Sequence, residues 1–166
     1  QDEIKKITVD NLEKHLTGRA VLINQYVIAT SEPNSAKYRL FRKMMNGSFK
    51  EIGRPKNLWS FRDKNVEQHM ALDLLMDDTI HLVFLPGPAG TGKTFLALLV
   101  GLYKVLEEKN YNKLLAARPL VSLGADLGFL PGDIHEKLYQ WMHPVYDNLE
   151  YIFDQMQIKG ELPKEL

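Results

Sequence analysis

The stretch Gly87-Pro88-Ala89-Gly90-Thr91-Gly92-Lys93-Thr94 fits the phosphate-loop pattern G-x-x-x-x-G-K-[ST] at every fixed position. Composition alone would produce such a match in roughly one chain in a hundred of this length. Each residue type has a physical reason to be there. Glycine at 87, 90 and 92 removes the Cβ that would hold an anion away, so consecutive backbone N–H groups can converge on a polyphosphate. Lys93 is long enough to reach the β and γ phosphates, and the Thr94 hydroxyl is a hard oxygen suited to magnesium. The pattern therefore assigns Gly87, Pro88, Ala89, Gly90, Thr91, Gly92, Lys93 and Thr94 to ATP and Mg2+, with Lys93 and Thr94 closest to any chemistry. An ordinary glycine turn opening a helix is the plainer alternative, but it does not call for Lys followed by Thr.

The flanks give the loop its setting. Residues 80–85 are a short apolar run with β-branched and aromatic members, which predicts a buried parallel strand. Residues 94–108 predict a helix that starts at the glycine turn and ends in Glu107, Glu108, Lys109 and Asn110. Residues 113–117 predict a second strand. Strand, loop, helix and strand within about 40 residues make a βαβ unit with a right-handed crossover, whose helix would aim its positive end at the ligand.

Further out, Val66, Met70, Leu74 and Leu75 recur at helical spacing, and Asn65 stands at the cap position, which predicts a helix over 65–78. Residues 118–133 carry Pro and Gly turn signals and almost no charge, as in a packed irregular loop, and Asp133 suits the cap of the next helix. That last helix, 134–156, places Leu138, Trp141, Met142, Val145, Leu149 and Ile152 on one stripe, with a kink expected at Pro144. Trp141 and Met142 read as core.

The first 60 residues are polar and punctuated. A strand is predicted over 21–30, a turn over 31–36 and a short basic helix over 38–45. Lys37, Arg39, Arg42, Lys43, Lys50, Arg54 and Lys56 make the region locally basic, either as a solvated face or as a nucleic-acid patch.

The totals bound the rest. The 166 residues are 45% hydrophobic and 25% charged, ordinary values for a folded globular chain of about one domain. Lys plus Arg and Asp plus Glu balance at 21 each, so any nucleic-acid surface must be local. The absence of cysteine excludes disulfides, thiolate nucleophiles and Cys-ligated zinc. No apolar run is long enough for a membrane span. The opening Gln1-Asp2-Glu3-Ile4-Lys5-Lys6 is no signal peptide, and a start at Gln1 suggests an excised stretch. The expected location is the cytoplasm. His15, His69, His81, His135 and His143 show no metal-ligand spacing.

Hydrolysis by phosphate-loop enzymes also needs an acidic strand end to hold magnesium. Leu74-Leu75-Met76-Asp77-Asp78 has the composition but precedes the loop on a helix, and Tyr151-Ile152-Phe153-Asp154 falls on the last helix. No convincing Walker B strand follows. Gln68 is a candidate reader of adenine, whose edge offers a donor beside an acceptor. With Asn65 it also satisfies the simpler capping box.

Beyond the loop, Ala117-Arg118-Pro119, Leu127-Gly128-Phe129-Leu130-Pro131-Gly132-Asp133, Glu136-Lys137, Trp141-Met142 and Pro144-Val145-Tyr146-Asp147-Asn148 resemble the PhoH family over about residues 59–153. The resemblance implies an α/β fold of RecA-like type, a parallel sheet flanked by helices, here cut short before Walker B. It implies an ATPase similar to the first domain of superfamily 1 RNA helicases, tied to phosphate starvation and RNA metabolism. RNA would then be a partner of the intact protein, and a ring-shaped homo-oligomer, for instance a hexamer, its assembly. It favours adenine contact by Gln68 and places Arg118 where nucleic acid or a neighbouring protomer is touched, though Arg118 can equally anchor its own loop. Residues 21–30 resemble the strand-bearing linker that follows a PIN-type nuclease domain in some members, which makes 1–58 an N-terminal linker and strand segment without its own core and 59–166 the front of the ATPase domain. The acidic cluster of a PIN nuclease is absent, so RNA cleavage is not expected, and the stretch alone should hydrolyse little. Two other readings stay open: a nucleotide-binding regulator that hydrolyses nothing, and a small-molecule kinase, which would need lid arginines that do not follow Arg118.

Overall fold

The computed structural model describes residues 2–31, 37–55, 58–59, 61–118 and 134–155, with no side chains described for 2, 3 and 134–141. Its elements are α1 (Asp2–Lys6), α2 (Leu12–His15), β1 (Tyr26–Thr30), β2 (Tyr38–Lys43), β3 (Phe49–Ile52), α3 (Val66–Met76), α4 (Lys93–Leu106) and α5 (Ile134–Gln155). They fall into two compact units, Gln1–Pro55 with Arg62–Asp73, and Lys56–Phe61 with Leu74–Leu166.

In the first unit β1, β2 and β3 form an antiparallel meander in which Ile28 faces Leu40 and Leu40 faces Ile52. The strand predicted over 21–30 is therefore shorter, because Leu22 and Gln25 close a turn ahead of it, the Leu22 N–H donating to Gln25 Oε1 at 2.8 Å and the Gln25 N–H to Leu22 O at 3.0 Å. The basic helix expected over 38–45 is a correction: Tyr38–Lys43 is the central strand. Its Leu40, Phe41 and Arg42 are consecutively buried, so both sheet faces are covered and the period-2 alternation that announces a strand is lost. Phe41 packs with Leu12, Ala29 and Phe49, flanked by Ile7, Leu16, Val21 and Val27. The segment thus has an apolar cluster of its own.

Charge pairing dominates the other contacts of this unit. Arg42 lies buried with Nη1 at 3.0 Å from Asp73 Oδ2 on α3, and the Tyr26 hydroxyl donates to the same oxygen at 2.6 Å. Burial first, and then the Asp73 carboxylate, drive the Tyr26 hydroxyl far above the usual phenol range. Arg39 makes a two-pronged contact with Glu51 and reaches the carbonyl of Ile7, Lys43 meets Glu13 at 3.5 Å and lies over the Phe49 ring, and Arg54 meets the buried Asp63 at 3.3 Å. Arg39, Arg42, Lys43 and Arg54 are thus each engaged with a carboxylate of this unit, which favours the structural reading of the basic region over a nucleic-acid patch.

In the second unit the helices lie where periodicity places them. Leu96, Leu98, Leu99 and Val100 of α4 are buried, as are Val145, Leu149 and Ile152 of α5, which packs on α4. The helical assignment of α5 runs unbroken through Pro144. The two predicted parallel strands are not formed among the described residues. Residues 80–85 and 113–117 form no ladder among the described residues, and the described sheet is the antiparallel one. A strand exists only as a pair, because its N–H and C=O groups need a neighbouring backbone. The side chains nevertheless alternate: Val83 and Leu85 are half-buried, while Phe84 is 80% and Leu115 79% exposed. Leu114 turns the other way and lies so close to Gly101 that a Cβ there would sit 2.6 Å from its Cδ1, so the 113–117 segment crosses α4 with glycine at the crossing. The loop 119–133, with its Asp133 cap, and the side chains of Leu138 and Trp141 lie outside what is described.

Asp73→Ala removes the carboxylate facing the buried Arg42 guanidinium. Urea denaturation should show a loss of about 3–5 kcal/mol. A loss below about 1 kcal/mol, the scale of an exposed pair, would contradict this placement of Arg42.

Candidate nucleotide-binding site

The chain enters α4 through two left-handed glycines, Gly90 at φ 77° and Gly92 at φ 89°. Gly92 is the N-cap, and its carbonyl accepts the first helical hydrogen bond, from the Leu96 N–H at 2.8 Å. An L-residue at φ 89° would be strained, so the turn that exposes the N–H groups of the first helical turn depends on glycine here. Across the loop the Pro88 carbonyl accepts from the Thr91 hydroxyl at 3.0 Å and from Lys93 Nζ at 2.5 Å, and Lys93 Nζ lies 3.4 Å from Thr91 Oγ1. Gly87, at φ 149°, starts the bend against Thr91 and Lys93. Thr94 is exposed on the first turn of the helix. An ammonium, a hydroxyl and the N–H groups of a helix start are the donors that an anionic polyphosphate requires, and no side chain of the loop bears a negative charge.

Aromatic packing fixes the end of α4 that carries these groups. Phe95 stands between Phe61, with ring centroids 5.4 Å apart, and Tyr151 of α5, at 5.8 Å and 69°. At the other end the Trp59 indole N–H donates to Glu107 Oε1 at 2.8 Å, and its ring meets Tyr103 edge-on at 5.3 Å. Trp59 holds a φ of 40°, a costly angle for a bulky residue and one sustained by these two contacts.

Lys104 supplies a third anchor that was only half legible. Its position inside an apolar helical run was the signal; its partners come from distant sequence. Nζ is buried, donates to Met76 O at 3.1 Å and pairs with Asp78 and, at 3.7 Å, with Glu108. The stretch 74–78, Walker-like in composition, is thereby explained as the end of α3 followed by a carboxylate that holds α4. Asp154 likewise lies on α5.

The remaining candidates are placed as follows. Gln68 lies on α3 in the first unit, where its N–H donates to Asn65 Oδ1 at 2.9 Å and its Oε1 accepts from the Lys64 N–H at 2.9 Å. The cap is therefore formed. Arg118 is exposed at the end of the 113–117 segment. His69 is buried with Nδ1 3.0 Å from the Tyr38 hydroxyl, and His143 pairs with Asp147 on the surface of α5. Among the described residues no three of His, Asp or Glu gather as a metal site, and no helix is long and apolar enough to cross a membrane.

The profile of the family described as PhoH-like protein matches residues 60–165, well over half of the chain. The chain belongs to the PhoH family. This is a family of P-loop NTPase type. Protein PhoH2 of Bacillus subtilis is 51% identical over 106 residues, covering 64% of this chain and 24% of that protein. Protein PhoH2 of Mycolicibacterium smegmatis is 45% identical over 96 residues, 57% of this chain and 22% of that protein. A PhoH-like protein of Mycobacterium tuberculosis is 39% identical over 95 residues, 57% of this chain and 26% of that one. The chain thus matches about a quarter of the length of these relatives. No solved structure matches it significantly.

The Lys104 hydrogen bond, followed by desolvation in the opposite sense, holds the Asp78 carboxyl below its ordinary range. A carboxyl whose folded value is depressed contributes stability that is present above the ordinary carboxylate value and lost as pH falls through the depressed one. Asp78→Asn should therefore lower the melting temperature at neutral pH, with the difference from the parent closing in acid below about pH 4. A difference that stays constant into acid would contradict the ion pair.

Proposed function

We propose that this chain is the nucleotide-binding part of a PhoH-like ATPase, taking ATP with magnesium at Gly87–Thr94. The observation that carries the reading is the conjunction of a full phosphate-loop sequence with left-handed Gly90 and Gly92 delivering Lys93 and Thr94 to the start of α4. Lys93 would leave or share the Pro88 carbonyl to meet the β and γ phosphates, and the Thr94 hydroxyl would join the magnesium shell. A bound magnesium ion would neutralise charge on the phosphates. This chain's own share is to bind and orient the polyphosphate.

The carboxylate that polarises water in such enzymes has no counterpart in this sequence, so hydrolysis would belong to a longer protein, consistent with the quarter-length match to the relatives. In that protein, ATP turnover coupled to work on RNA, within the cytoplasm and in a ring-shaped homo-oligomer, rests on the family resemblance. Arg118 as a contact to RNA or to a second protomer has the same support. Gln68 as the adenine reader rests on its Asn65-x-x-Gln68 spacing, and would have to combine base contact with its capping bond to Lys64.

Calorimetric titration tests the reading. Lys93→Ala should lose most of its ATP affinity, on the order of a hundred-fold, with an unchanged circular dichroism spectrum. Equal affinity in parent and variant would refute the assignment. In the same titrations Gln68→Ala should remove a preference for ATP over GTP, and a parent without that preference would leave Gln68 only its cap.

A further inference from the structure

Three groups meet inside the loop, and the reading above gives one of them, Thr91, no task of its own beyond its place in the motif. The Thr91 hydroxyl donates to the Pro88 carbonyl at 3.0 Å, and that carbonyl also accepts from Lys93 Nζ, which lies 3.4 Å from Thr91 Oγ1. We propose that Thr91 is a positioning residue: its hydroxyl holds the loop in the phosphate-accepting shape while Lys93 is released to the ligand. The inference rests on the loop being a polyphosphate site and adds to it a side chain that need not touch the nucleotide.

The argument is one of competing donors. The Pro88 carbonyl accepts from both an ammonium and a hydroxyl, and a carbonyl oxygen has two lone pairs to do so. An ammonium is the stronger donor and is also the group the phosphates recruit. With Thr91 present, the departure of Lys93 leaves the carbonyl satisfied and the bend between Gly87 and Gly92 closed. Without the hydroxyl, Lys93 is the side chain left to tie the Pro88 carbonyl across the loop, so the lysine either stays on the loop or leaves it unlatched. Pro88 adds to the effect, since its ring fixes φ and leaves its carbonyl as its one backbone hydrogen-bonding group. The neighbouring glycines cannot supply the latch: Gly90 and Gly92 have no side chains and are both left-handed, the most permissive part of the loop. Preorganisation of this kind shows in affinity, because a disordered loop must be ordered when the ligand binds.

The test uses this chain, with Mg·ATP and Mg·pyrophosphate as separate titrants, and the variants Thr91→Val, which keeps the branched shape without the hydroxyl, and Thr91→Ser, which keeps the hydroxyl. Thr91→Val should weaken both ligands by about ten-fold, and Thr91→Ser should stay within about two-fold of the parent. Loss with pyrophosphate shows that the effect is on the phosphates and not on the base. Parent-like affinity in Thr91→Val, with Lys93→Ala still defective, overturns this proposal and leaves the phosphate-site reading standing. Equal loss in Thr91→Ser and Thr91→Val overturns it too, because the hydroxyl that Thr91→Ser keeps would then fail to preserve affinity. Absence of binding by the folded parent overturns both.

Discussion

The first N–H groups of any α-helix have no intrahelical carbonyl to meet, and the sequence around Gly92 turns that deficit into a surface. Two left-handed glycines bring the chain into α4 from a tight bend, so the helix starts abruptly with Lys93 and Thr94 in its first turn. An abrupt start is useful only if it is held still. Leu96, Leu98, Leu99 and Val100 bury the body of α4, Phe95 is wedged between Phe61 and Tyr151, and Lys104 ties the far end to Asp78. The anion-seeking end of the helix is thus backed by aromatic, apolar and ionic anchors along its length.

The first unit follows a different principle. Beside its apolar cluster, cations meet carboxylates: Arg42 with Asp73, Arg54 with Asp63, Arg39 with Glu51. Arg42 with Asp73 is the buried pair of the three, and a buried pair adds little net stability over apolar packing but fixes one arrangement, because either partner alone is costly. Asp73 shows this, serving a guanidinium and a phenol at once.

Helices and the loop were legible in the sequence because their signals are local. Asn65 and Gln68 announce a cap, the stripe of Val145, Leu149 and Ile152 announces α5, and the glycine spacing announces the bend. What failed depended on remote partners. Arg39, Arg42 and Lys43 gave Tyr38–Lys43 the look of a basic helix, since nothing nearby in sequence reveals that Glu51, Asp73 and Glu13 receive them. Residues 80–85 and 113–117 have strand composition and alternating exposure, yet a ladder is a property of two segments and the described residues supply no mate. The role of Thr91 was invisible for a related reason: the motif leaves its position unspecified, and only the fold shows that its hydroxyl faces the Pro88 carbonyl.

The most direct measurement is a backbone amide NMR titration of the chain with Mg·ATP. The account predicts that the largest shift changes gather on the amides of residues 87–95, with lesser effects along α4 and little on the β1–β3 meander. Shifts gathered on the meander, or saturation with residues 87–95 unmoved, would contradict it.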